Sequence, residues 1–264
     1  MKLPVSGHEI EFRAPCGSDD LALLESGGNV IEQALVAVSR LCSASETGRG
    51  NISAEINWLA LTVTDFEWAL LGLRRFLLGD SVACLLRSKD HACGEAMEMS
   101  FSITALLEQT SPRTPKGVSR VDGGVQSFKI DLDGSSVRFR LPEVEDQLAV
   151  LKSRDGGALL MSRCTGEVKL ARPVKARIER AMEALAPAVS RQIEGVCPTC
   201  GKTVKAMLHA PRLVVDELMR SAAGVYAEVD LLASEYQWDE AAILAMPQSR
   251  RRTYAERIRE RRGK

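Results

Sequence analysis

Phe66, Leu70, Leu73 and Leu77 recur at helical spacing behind Thr64-Asp65-Phe66-Glu67, and Gly79 ends the run. A Thr-x-x-Glu start and a glycine stop predict a capped amphipathic helix that buries this stripe. Trp58 and Trp68 flank its apolar face and read as packing residues. Upstream, a strand over Glu9 to Arg13 gives way to the turn Ala14-Pro15-Cys16-Gly17-Ser18-Asp19. Helices are expected at Asp20 to Leu24 and at Asn29 to about Leu41, the second with Ile31, Leu35 and Val38 in line. Downstream, strand patterns at Val82 to Arg87 and Ala96 to Ile103 enclose a polar turn that holds Asp90, His91 and Cys93. Ser111 to Gly124 is rich in Ser, Pro, Gly and charge and reads as a linker.

Beyond that stretch the pattern recurs. Ile10 to Leu24 and Val137 to Leu151 share seven identities in fifteen positions, where composition alone gives about one. Phe12, Arg13, Pro15, Asp19, Leu21, Ala22 and Leu24 match Phe139, Arg140, Pro142, Asp146, Leu148, Ala149 and Leu151. Cys93-Gly94 likewise matches Cys200-Gly201, with about 20 more residues in the first copy. The expectation is an α+β chain of two tandem-repeated units, each a helix plus a zinc-ribbon-like hairpin, followed by a helical C-terminal extension. Unit one spans 1–110, the linker 111–124, unit two 125–210 and the extension 211–264, with a pseudo-two-fold axis relating the units. Helices are predicted over Arg172 to Leu185, Pro211 to about Tyr236, Ala241 to Ala245 and from Arg250 onward. On the last, Tyr254 and Ile258 face inward and the arginines outward.

The chemistry sits at Cys197-Pro198-Thr199-Cys200-Gly201, a C-x-x-C turn followed by alternating residues to Leu208. Two cysteines at that spacing with a glycine behind them form half of a zinc site, and a structural zinc takes four ligands. The other half is expected at Cys93. The ligand set is His91, Cys93, Cys197 and Cys200, with Asp90 or Cys84 as substitutes for the histidine, around one structural zinc per chain. Four side-chain ligands leave no position open for a substrate water. Cys16, Cys42 and Cys164 read as small core or loop residues, and His8 and His209 have no partner at metal spacing.

The chain has 264 residues with 35 basic and 35 acidic side chains, so no net field attracts nucleic acid or a membrane. Ser249 to Lys264 carries eight basic residues against Glu256 and Glu260, and the remainder is correspondingly acidic. Seven cysteines and no charged-then-apolar leader fit a reducing cytoplasm, and no run approaches a membrane span. Phosphate-binding glycine loops, a G-x-S-x-G nucleophile and H-E-x-x-H are all missing from the sequence. The chain therefore reads as a non-enzyme.

Val225-Tyr226-Ala227-Glu228-Val229, the run from Trp238 to Pro247 and Ser249 to Tyr254 resemble the terminal region of proteins from phage contractile-tail and injection-system clusters. Leu61 to Asp80 and the CPTCGK knuckle are similar to the T-even-type phage baseplate family. In the first knuckle Asp90 stands where that pattern has a cysteine. The resemblance implies a structural or assembly protein of a tail baseplate or hub, whose partners are other tail proteins. It places the chain in the bacterial cytoplasm during assembly and leaves open whether the finished particle retains it. Tyr226, Trp238, Arg250, Arg251, Arg252 and Tyr254 are the expected partner-binding residues, since aromatic and arginine side chains suit interface centres. The alternative is a nucleic-acid-binding zinc-ribbon protein that uses the arginine-rich end. Balanced charge and only 5% aromatic residues disfavour it.

Overall fold

The computed structural model describes residues 1–45, 56–87, 93–94, 96–121, 126–132, 135–167 and 170–263. In chain order they form β1 (Ile10–Phe12), α1 (Gly17–Glu25), α2 (Val30–Leu41), β2 (Cys42–Ala44) and α3 (Val63–Leu78). Next come β3 (Ser81–Arg87), β4 (Ala96–Ser102), α4 (Ile103–Gln109), β5 (Val118–Arg120), β6 (Ser127–Leu132) and β7 (Ser135–Arg140). The chain continues through α5 (Val144–Leu151), α6 (Gly156–Thr165), α7 (Arg172–Leu185), β8 (Gln192–Val196) and β9 (Thr203–Met207). It closes with α8 (Ala210–Ala222), α9 (Val225–Tyr236), α10 (Glu240–Leu244) and α11 (Gln248–Arg262). Helix and sheet are mixed, as an α+β chain requires, and every strand pair is antiparallel.

The stripe on α3 is the centre of the larger core. Phe66, Leu70 and Leu73 have no exposed surface and pack with Ile31, Ala34 and Val38 of α2 and with Val214, Val215 and Leu218 of α8. That core takes residues from both sides of position 210, so the C-terminal extension begins inside it. A second core lies between β6 and β7 on one side and α6 and α7 on the other, with Phe128 stacked on Phe139 at 5.8 Å. A third joins Leu232, Ile243 and Ile258 under Tyr236, Trp238 and Tyr254.

The N-cap of α3 is Thr62, two residues before the box expected from the sequence, and its hydroxyl accepts from Asp65 N–H at 3.1 Å. The expected box fails because its members have long-range partners. Thr64 Oγ1 donates to Pro187 O, while Glu67 accepts from Val189 N–H, Ser190 N–H and the Ser190 hydroxyl. Asp65 accepts from Val5 and Ser6 N–H. One helical turn thus anchors both the N-terminal segment and the approach to β8, and its acidic residues suit the positive end of the helix.

Three further expectations change. Val118–Arg120, inside the stretch read as a linker, pairs with Phe128–Ile130. The long helix from Pro211 is two helices, α8 and α9, turned at Ala223-Gly224. The arginines of α11 do not all face out. Arg251 is 1% exposed, with Nε on Glu228 at 2.7 Å and Nη2 on Asp20 at 2.5 Å.

Candidate metal centre

Two hairpins carry the site. β3 pairs with β4 from Ser81↔Ser102 to Arg87↔Ala96, and β8 with β9 from Gln192↔Met207 to Val196↔Thr203. On each, alternate residues turn inward, Met97, Met99 and Phe101 from β4 and Ile193 and Val204 from β8 and β9. The hairpins meet at Gly195, where a Cβ would fall 3.1 Å from Met97 Cε. A side chain there would have to displace the Met97 methyl.

Past these strands, both cysteine turns end on a glycine in the left-handed region, Gly94 at φ 57° and Gly201 at φ 69°. A β-branched or bulky residue at either position would be strained. The second turn closes through Gly201 N–H to Cys197 O and Cys197 N–H to Lys202 O, both at 2.9 Å. These bonds aim the Cys197 sulfur inward, where it is almost fully buried, with half-buried Cys93 and Cys200 beside it. The three sulfurs lie within 4.8 Å of one another. Cys93 and Cys197 are separated by 3.8 Å, the sulfur–sulfur edge expected of a tetrahedron with Zn–S bonds of about 2.3 Å. N–H groups of Cys200 and Thr199 donate to the Cys197 sulfur and lower its pKa below the ordinary thiol value, favouring the thiolate that binds metal. These three residues could hold a metal ion.

Cys93, Cys197 and Cys200 thus come together as expected. Asp90 and His91 lie outside the described residues. Cys84 is not part of the cluster. Its thiol donates across the hairpin to O of its paired residue Met99 at 3.4 Å, and burial raises its pKa. None of the seven cysteines is in a disulfide. Cys42 and Cys164 are buried, and burial pushes their thiols up to about 12 and about 11, as inert core positions.

The expected partner-binding residues divide. Trp238 and Tyr254 are spent on the third core, among α9, α10 and α11: Trp238 stacks on Tyr236 at 4.6 Å and meets Tyr254 edge-on at 5.3 Å. Arg251 is buried, and Arg252 bonds Ser221 of α8. Arg250 is exposed. Tyr226 is 56% exposed, and its hydroxyl donates to Glu25.

The sequence reading missed the triad Asp20, Glu228 and Arg251. Arg251 precedes Ala255 and Ile258 by four and seven residues, which puts it on the buried face of α11. That spacing was the available signal. It also missed that each Arg-x-Pro turn ends in a two-arginine clamp. Asp19 accepts both Arg13 nitrogens and Arg40 Nε, and Asp146 accepts both Arg140 nitrogens and Arg163 Nε. In each case the same carboxylate also accepts the N–H of the residue three before it, Cys16 or Glu143.

No protein-family model matches the chain, and neither a curated protein nor a solved structure matches it. No helix among the described residues is long and apolar enough to cross a membrane.

Proposed function

We propose that the chain is a non-catalytic, zinc-stabilised structural or assembly protein of a phage-like contractile tail or injection-system baseplate. The observation that supports the zinc is the meeting of Cys93 with Cys197 and Cys200, one thiol from one hairpin and two from the other. Thiolates at tetrahedral spacing select zinc among the common divalent ions, and the fourth ligand expected from the sequence, His91 or its substitute Asp90, lies outside the described residues. A closed site of this kind fastens two hairpins whose own interface is small, and structural zinc can contribute on the order of 10 kcal/mol to folding.

The chain is further read as an internal duplication. Its support is the clamp geometry at Asp19 and Asp146, reached from identical sequence positions, together with the paired knuckle glycines. Each clamped turn also receives another segment in the same way. Gly17 N–H and Pro15 O bond Met246 O and Gln248 N–H, while Val144 N–H and Pro142 O bond Leu61 O and Val63 N–H.

The tail assignment rests on the sequence resemblance of 61–80, 197–202 and 225–254. Against the nucleic-acid reading stands the use of the arginine-rich helix, whose Arg251, Arg261 and Arg262 pair with the chain's own Asp20, Glu228 and Glu235. Co-purification with defined sheath, tube, hub and baseplate proteins of a contractile-tail cluster tests the assignment. Capture of a hub or baseplate protein is expected. Binding to none of them, with tight binding to single-stranded nucleic acid instead, would overturn it.

A further inference from the structure

The turn between α8 and α9 lacks the usual marks of a helix end. Ala223 (φ −53°, ψ −24°) and Gly224 (φ −85°, ψ −4°) are both right-handed helical, with no left-handed cap closing α8. No side chain caps the start of α9. Helices that end by local design commonly place a glycine in the left-handed region or a polar side chain at the N-cap. Here, rotation of Gly224 ψ by roughly 40° would give standard helical dihedrals, and residues 210–236 would join into one helix about 40 Å long. The local sequence reads as that continuous helix, so contacts elsewhere hold the bend.

Most of those contacts lie in a seam with α1, and Gln248 and Arg252 also bond Ser221 of α8. Arg251 and Gln248 reach Asp20, the Ser18 hydroxyl donates to Leu244 O, and Tyr226 reaches Glu25. Gly17 allows the approach, since a Cβ there would lie 2.6 Å from Arg251 Nη1 and 2.8 Å from Leu244 Cα. The seam is mostly polar, whereas residues 225–262 keep an apolar core of their own in Leu232, Ile243 and Ile258. Arg251 also holds Glu228 within the arm, so separation from α1 leaves it one carboxylate partner. Returning a buried ion pair to water recovers its desolvation cost.

We infer that residues 225–262 form a hinged latch, closed here on α1, which opens about Ala223-Gly224 as a unit while α8 and α9 fuse. Opening releases three of the residues expected to bind a partner from the rest of the chain: Tyr226 from Glu25, Arg251 from Asp20 and Arg252 from Ser221, while Arg251 keeps Glu228. In the closed state α1, with Asp20 and Glu25, takes the place of an acidic partner surface. The nature of that partner rests on the tail reading above, but the hinge does not.

Amide exchange on the intact protein tests the latch without any partner. Gly17 and Gln248 N–H bond across the seam, and Val63 and Val144 N–H bond across the matching seam between α3 and α5. Gly224→Ala puts a Cβ 3.3 Å from Glu228 Oε1 in the bend and favours a helix interior by up to about 1 kcal/mol, a shift of at most roughly fivefold toward the joined helix. Exchange of Gly17 and Gln248 should accelerate by up to about fivefold with Val63 and Val144 unchanged. Asp20→Asn, which leaves the hinge untouched, should accelerate the same pair. Unchanged exchange at Gly17 and Gln248, or equal acceleration at all four amides, would overturn the latch.

Discussion

Asp19 and Asp146 are the clearest cases in which single side chains fix local structure. Burial works to raise each carboxyl, but hydrogen bonds from Arg13 and Cys16, and from Arg140, Glu143 and Arg163, outweigh it and hold both at about 2. A carboxyl held below its ordinary 3.8 stabilises the fold above that value and loses the contribution as pH falls through about 2. Asp146→Asn should therefore cost about 2 kcal/mol near neutral pH, below the full penalty for a buried pair because the arginines are partly exposed. Denaturant titration should show that cost shrinking between pH 4 and 2. These residues were legible in the sequence as matched positions, since an Arg-x-Pro turn and an Asp six residues on recur at one offset. Their second arginines were not, because Arg40 and Arg163 arrive from the following helices and no short-range pattern ties them to the aspartate. Cys197 and Cys200 of the candidate metal site were legible for the opposite reason, since C-x-x-C-G encodes its own turn, and Cys93 through its matching Cys-Gly step.

At the scale of elements, the first turn of α3 joins parts of the chain more than a hundred residues apart. Glu67 there is the reverse of the clamped aspartates. Burial raises its pKa despite hydrogen bonds from Ser190 and Val189, so its ionisation costs stability as pH rises through the folded value. Glu67→Gln should stay within about 1 kcal/mol of the parent near neutrality, and the difference should move in its favour with rising pH. Glu67→Ala, which leaves the Val189 and Ser190 N–H groups without their acceptor, should cost about 3 kcal/mol. Thermal melts over a pH series separate the two variants. The helix itself was plain from its apolar period, but its cap was displaced because tertiary partners took the predicted capping groups. The split of α8 from α9 was marked in the sequence only by Gly224, which disfavours a helix interior, because contacts with α1 rather than a cap hold the bend.

Across the whole molecule, the basic C-terminal segment meets acidic residues of the rest of the chain internally. The arginine-rich C-terminus read as a free basic face, yet Arg251 pairs with Asp20 and Glu228 in the interior. Arg251→Glu should cost more than about 4 kcal/mol by gathering three buried carboxylates. Exposed Arg250→Glu should change stability by no more than about 0.5 kcal/mol, which makes it the clean probe of docking to an acidic partner. Urea unfolding of the pair checks this contrast. The central claim is that one zinc binds the two hairpins through Cys93, Cys197 and Cys200, and metal analysis of the purified protein tests it most directly. The parent and Cys84→Ser should carry about one zinc per chain, as a single four-ligand site requires, and Cys93→Ser should lose most of it. Less than about 0.2 zinc per chain in the parent, or full retention in Cys93→Ser, would contradict the account.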